Sequence, residues 1–133
     1  MAAIVERAIG VQEYRRLRAE VGWSTPDHCV CATALATSLF SVVAHDEQGR
    51  SVGMARAVCD GLYVLIVDVV VSPPEQGQGI GTQLIDSVVE WARQQRVPHL
   101  ALGASMDVAG LYHQHGFVQA GQYLRFIDSI ALA

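Results

Sequence analysis

Hydrophobic positions along the chain change period several times, and each change marks an element. Ala3–Ile9 carries Ile4, Val5 and Ile9 and reads as a short strand. From Val11 the apolar residues Val11, Tyr14, Leu17 and Val21 recur at three- and four-residue spacing, with Arg15, Arg16, Arg18 and Glu20 outside. That is an amphipathic helix, and Gly22 stops it. Thr25-Pro26-Asp27 reads as the next helix start, with Thr25 as N-cap and Pro26 in the first helical position. Phe40–His45 and Val52–Val58 are strands joined by the turn Asp46-Glu47-Gln48-Gly49, and Asp60-Gly61 marks another turn. Leu62–Val71 (LYVLIVDVVV) is a near-continuous apolar run, the pattern of a central strand covered on both faces. Gly81–Val97 returns to helical period, with Leu84, Ile85, Val88, Trp91 and Ala92 on one face and Arg93 and Arg96 in the last turn, where the dipole favours cations. Leu100–Gly103 reads as a strand, Val108–His115 as a short helix ended by Gly116, and Leu124–Ile130 as a final strand. A meander followed by alternating helices and strands predicts a mixed α/β or α+β domain.

Composition narrows the function classes. The chain has 133 residues, 51% hydrophobic and 17% charged, which is enough for one core and too apolar for disorder. A single domain over residues 1–133 is therefore expected. Every basic residue is Arg, so Schiff-base lysine chemistry and the lysine of a P-loop are excluded. A formal charge of −4 with scattered Arg argues against nucleic acid as the main partner. Cys29, Cys31 and Cys59 imply no disulfide framework, and His28, Cys29 and Cys31 lack the second ligand pair that zinc wants; no metal is expected. Met1–Gly10 lacks a signal-peptide pattern, and the longest apolar run is far short of a bilayer span. A cytoplasmic protein without a membrane partner is expected.

The chemistry concentrates in one stretch, Val69-Val70-Val71-Ser72-Pro73-Pro74-Glu75-Gln76-Gly77-Gln78-Gly79-Ile80-Gly81-Thr82. A strand enters a loop with alternating glycines, and the loop opens a long helix. Amide N–H groups at a helix start lack intrahelical partners, and the dipole adds positive potential. Such a junction suits a phosphate or pyrophosphate without a lysine; a tight packing turn is the plainer alternative. A P-loop is ruled out by the missing Gly-Lys-Ser/Thr, and a dinucleotide fingerprint by Thr82 and Leu84 where glycines are required.

Gln76-x-x-Gly79-x-Gly81 resembles the Q/R-x-x-G-x-G/A motif of the GNAT superfamily of acetyl-CoA-dependent N-acetyltransferases. Downstream, Leu111-Tyr112-His113-Gln114-His115-Gly116-Phe117 resembles the superfamily's L/F-Y-x-x-x-G-F, in the right order and spacing. Within the superfamily the chain is most similar to the serotonin (aralkylamine) N-acetyltransferases and their bacterial relatives, through Gly22-Trp23-Ser24, Gly53-Met54-Ala55-Arg56, Asp60-Gly61 and Asp68-Val69-Val70-Val71-Ser72-Pro73. It departs from them at Val67, Glu75 and Asp107, where a Trp, an aromatic and an Asn are usual.

The resemblance implies a fold and a reaction. The fold is a mostly antiparallel, twisted sheet of six to seven strands, splayed at the cofactor site and flanked by about four helices. The reaction moves an acetyl group from acetyl-CoA to a primary amine of a small molecule, by direct attack in a ternary complex. Val69, Val70 and Val71 would offer backbone groups to the pantetheine arm, and Gln76, Gly77, Gln78, Gly79, Ile80, Gly81 and Thr82 would hold the pyrophosphate. Tyr112 is the candidate general acid for the leaving thiolate, or else a core tyrosine. Asp68 is the candidate general base, or else a structural partner of Arg56. Trp23, Arg56 and Asp107 are candidates for the substrate side; Asp107 reads equally as an N-cap and Trp23 as a core or dimer contact. A homodimer is family habit. A protein or peptide N-acetyltransferase and a non-catalytic acyl-CoA-binding module are the alternatives.

Overall fold

The computed structural model describes residues 2–104, 109–122 and 124–125. These fall into two compact units, residues 1–102 and 103–133.

In the first unit the strands β1 (Ala3–Glu6), β2 (Phe40–His45), β3 (Ser51–Cys59), β4 (Tyr63–Val71) and β5 (His99–Leu102) form one sheet in chain order. The first four are antiparallel neighbours, and β5 lies parallel to β4. Helices α1 (Val11–Glu20) and α2 (His28–Ala36) precede β2, and α3 (Ile80–Gln94) connects β4 to β5. The fold class is the expected mixed α+β one. Among the described residues the sheet has five strands rather than six or seven. Most of the expected last strand, 124–130, lies outside them.

Two layers bury the sheet. Helix α3 packs across β2, β3 and β4 and buries Leu84, Ile85 and Val88 completely. On the other face Tyr14 and Leu17 of α1 and Cys31 of α2 pack with Val43, Met54 and Val70. The strand covered on both faces is thus β3, buried from Ser51 to Ala57, and not β4, in which only Val64, Ile66 and Val70 are buried. In β4, Val64 and Ile66 are buried while Leu65 and Val67 are half-buried, and α3 packs on this strand. Helix α3 comes close because Gly53 has no side chain: a Cβ there would lie 3.0 Å from the Val70 carbonyl and 3.1 Å from Leu84.

Helix ends follow backbone chemistry. Gly22 (φ +80°) closes α1 with Trp23 N–H donating to the Arg18 carbonyl and Gly22 N–H to that of Ala19. Helix α2 starts two residues later than the Thr25-Pro26 pattern predicts, with Asp27 as N-cap and His28 as its first residue. Arg15 of α1 takes the Thr25 and Pro26 carbonyls as acceptors and holds that stretch outside the helix, and the first helical bond runs from Cys31 N–H to the Asp27 carbonyl. At the other end of α1, Glu13 accepts from the Gly10 N–H and pairs with both terminal nitrogens of Arg7.

Candidate active site

The strand-to-helix junction has the geometry its sequence implies. After Val71 a short 3₁₀ turn, Pro73–Glu75, leads into the glycines. Gly77 and Gly79 take left-handed φ of +81° and +85°, a region costing other residues about 1–2 kcal/mol. Gly79 caps α3, and the first intrahelical bond runs from Gln83 N–H to its carbonyl. The N–H groups of Ile80, Gly81 and Thr82 precede that bond, so they have no intrahelical acceptor and point where an anion is favoured. The motif glutamine acts on the loop itself: Gln76 Nε2 donates to the Val71 carbonyl at 2.9 Å, tying the loop to the strand it leaves. At the strand end, the buried Ser72 hydroxyl donates to Glu20 of α1 at 2.6 Å. Burial works against the Glu20 charge, but Ser72, Arg16 and Arg50 outweigh it and hold the carboxyl below its ordinary value.

The strand that leads into the glycines, β4, is itself bulged. Met54 pairs with Val70 and Arg56 with Val67, so Asp68 and Val69 together oppose Ala55. Asp68 has φ +55°, uncommon for a residue with a side chain. Pairing of β4 with β5 stops at Ile66↔Leu102, leaving Val67–Val71 with no strand partner on that side among the described residues.

The Asp68 side chain, 9% exposed, turns toward α1. It accepts from the Tyr14 hydroxyl at 2.6 Å, Arg18 Nη1 at 2.8 Å and Arg56 Nε at 2.7 Å. Burial, and then the Asp68 carboxylate, push the Tyr14 phenol above its ordinary value. Burial opposes the Arg56 charge, but Asp68 outweighs it and raises Arg56. Arg56 also donates to Ser38 Oγ, and Arg18 donates through Nε to the Ser24 carbonyl and lies 5.4 Å over the ring of Trp23. The structure therefore joins Asp68 to Arg56, the pairing named as an alternative to general base. It also adds two partners the pattern hid. Arg18 was assigned to the outer side of its helix, yet it shares a face with Tyr14 four residues earlier. A buried tyrosine in need of a hydroxyl acceptor was the available signal.

In the second unit, helix α4 (Ala109–His113) carries Tyr112. The motif's spacing builds the helix end: Gly116 (φ +92°) donates to the His113 carbonyl and Phe117 N–H to that of Tyr112, while the Phe117 ring meets Tyr112 edge-on at 6.2 Å. Tyr112 is half-buried, and burial raises its phenol above the ordinary value. Asp107 lies outside the described residues. Trp23 is 42% exposed on the α1–α2 connection.

Comparison with known proteins finds the family that the two sequence motifs resemble. The Acetyltransferase (GNAT) domain family matches residues 37–119, and the chain belongs to this family. A histone acetyltransferase of Glycine max is 32% identical over 120 residues, 82% of this chain and 52% of its own length. The chloroplastic serotonin N-acetyltransferase 2 of Oryza sativa is 37% identical over 83 residues, 62% of this chain and 42% of its own. Thus the chain spans about half the length of these curated relatives. A probable acetyltransferase from meticillin-resistant Staphylococcus aureus superposes with a TM-score of 0.83 at 25% identity, covering 95% of this chain and all of that one.

Proposed function

We propose that the chain moves the acetyl group of acetyl-CoA to a primary amine of a small molecule by direct attack in a ternary complex. The observation that carries this reading is the junction at Gly79, where three helix-start amides follow directly from the unpaired edge of β4. The N–H groups of Ile80, Gly81 and Thr82 would bind the pyrophosphate, aided by Gly77 and Gln78, and Val69–Val71 would offer the open strand edge to the pantetheine arm. Gln76 supports the loop from behind. Acetyl-CoA supplies the activated acyl group, whose carbon–sulfur bond breaks as the new carbon–nitrogen bond forms. Holding both reactants in line is worth up to about 7–11 kcal/mol of the barrier.

Two proton movements remain. Tyr112 donates its hydroxyl proton to the departing sulfur; burial keeps that phenol protonated at neutral pH and above. The amine arrives charged and gives up a proton before it attacks. Asp68 is the candidate acceptor of that proton that the sequence offers; Tyr14 and Arg56 occupy its Oδ2 and Arg18 one site of Oδ1, and a different role for it is inferred below. Trp23, Arg56 and Asp107 are assigned to the acceptor side. An amine on a protein or peptide is the second reading, favoured by the histone acetyltransferase among the relatives.

The test is a screen of aralkylamines, polyamines and peptides for release of free coenzyme A. A small amine turned over at least about tenfold more efficiently than any peptide supports the first reading. Turnover of peptides alone replaces it with the second, and no turnover with any acceptor leaves an acyl-CoA-binding module.

A further inference from the structure

The Asp68 cluster does more than pair charges, because its donors come from separate elements. Tyr14 and Arg18 belong to α1, and Arg56 belongs to β3 and continues to Ser38 beyond α2. Arg18 has its other edge on the α1–α2 connection, through the Ser24 carbonyl at 2.6 Å and the face of Trp23. A single carboxylate at the bulge is therefore linked, through one guanidinium, to the segment that presents Trp23. The carboxylate makes these three bonds from a residue at φ +55°, a backbone conformation uncommon for residues with a side chain. Two of its donors come from α1 and one from β3, so three of the carboxylate's roughly four acceptor sites are committed to holding these elements.

We propose that Asp68 serves the reaction as a positioning residue: it fixes Arg18, and Arg18 fixes the Trp23-bearing connection that forms the acceptor side of the site. The inference rests on the acetyltransferase reading, and it replaces the base role of Asp68 within it. The amine proton then leaves to water or to another group, and Asp68 stays bonded throughout. Removing either end of the Asp68–Arg18 pair loosens the same segment, so the two substitutions share one effect.

The experiment uses the full chain carrying Trp91→Phe, which leaves Trp23 as the sole tryptophan. Into it are placed Asp68→Asn, Arg18→Met and both together. Each single variant is expected to shift Trp23 emission to the red and increase its quenching by acrylamide, with the double variant equal to either single one. With tryptamine as the probe amine, each is expected to raise KM by about tenfold with kcat changed by less than about threefold, and to keep the ionisation limb of kcat/KM. Unchanged Trp23 emission in Asp68→Asn overturns the inference. So does loss of that limb with a fall in kcat of about 100-fold or more, the behaviour of a general base. Should Asp68→Asn fail to fold, Arg18→Met against wild type decides on the same emission and KM readouts. Absence of both turnover and acetyl-CoA binding in wild type would instead defeat the acetyltransferase reading, and Trp23 emission would still decide the Asp68–Arg18 link.

Discussion

Tyr112 is fixed by the end of its own helix: the Gly116 turn returns Phe117 onto its carbonyl and its ring. Because burial raises its phenol above the ordinary value near 10, the group stays protonated across neutral pH. Tyr112→Phe is expected to lower kcat by about 100-fold, and the wild-type alkaline limb due to this group should lie above pH 10. A steady-state pH–rate profile checks both, and an unchanged kcat removes Tyr112 from the reaction. Gly53 gives a stability prediction at the same scale. Gly53→Ala puts a Cβ 3.0 Å from a backbone carbonyl and should destabilise by about 1–3 kcal/mol, read from urea denaturation. Single residues were also the least legible part of the sequence. Asp68 stood out as a carboxylate in an apolar strand and Arg56 as a candidate partner. Arg18 did not, because helical period places a Cα on a face and says nothing of where a long guanidinium stem turns back.

Elements were read more securely than their ends. The runs of β2, β3, β4 and α3 were plain from period, since each must bury one side of a pleat or helix. The start of α2 was misplaced because Arg15, a residue of another element, takes the Thr25 and Pro26 carbonyls. The bulge in β4 was hidden because a run of valines shows no break where the register slips. Helix α1 is itself fastened electrostatically. The bond from Arg7 holds the Glu13 carboxyl at about 2, with burial opposing and the Gly10 N–H assisting. A carboxyl lowered in the folded state stabilises fully above its unfolded pKa of about 4.5, and that stability is lost as pH falls toward 2. Glu13→Gln should therefore cost about 1–2 kcal/mol at pH 7, allowing for solvent screening, and the difference from wild type should vanish near pH 2. Thermal melts of both proteins across that range check the sign; a constant difference at all pH values contradicts it.

For the molecule as a whole, the sequence pattern carried the mixed α+β class and the acetyltransferase family, because two spaced motifs and the element order agree. Strand count did not follow, since most of 124–130 lies outside the described residues. Substrate choice was not legible either, because the segment from Thr25 to Leu39 carries no motif and relatives of the chain are named for both histone and serotonin acetylation. What the fold brings together in one unit is a strand edge left unpaired among the described residues and three helix-start amides. A ligand held there stabilises the folded state by about 2.7 kcal/mol at 100 times its dissociation constant. Isothermal titration of acetyl-CoA into the wild-type chain and into Gly79→Val tests this most directly. The account predicts saturable one-to-one binding to wild type, weakened by at least about tenfold in the variant, whose side chain opposes the left-handed turn. Absence of binding at millimolar acetyl-CoA, or equal binding by both proteins, would contradict it.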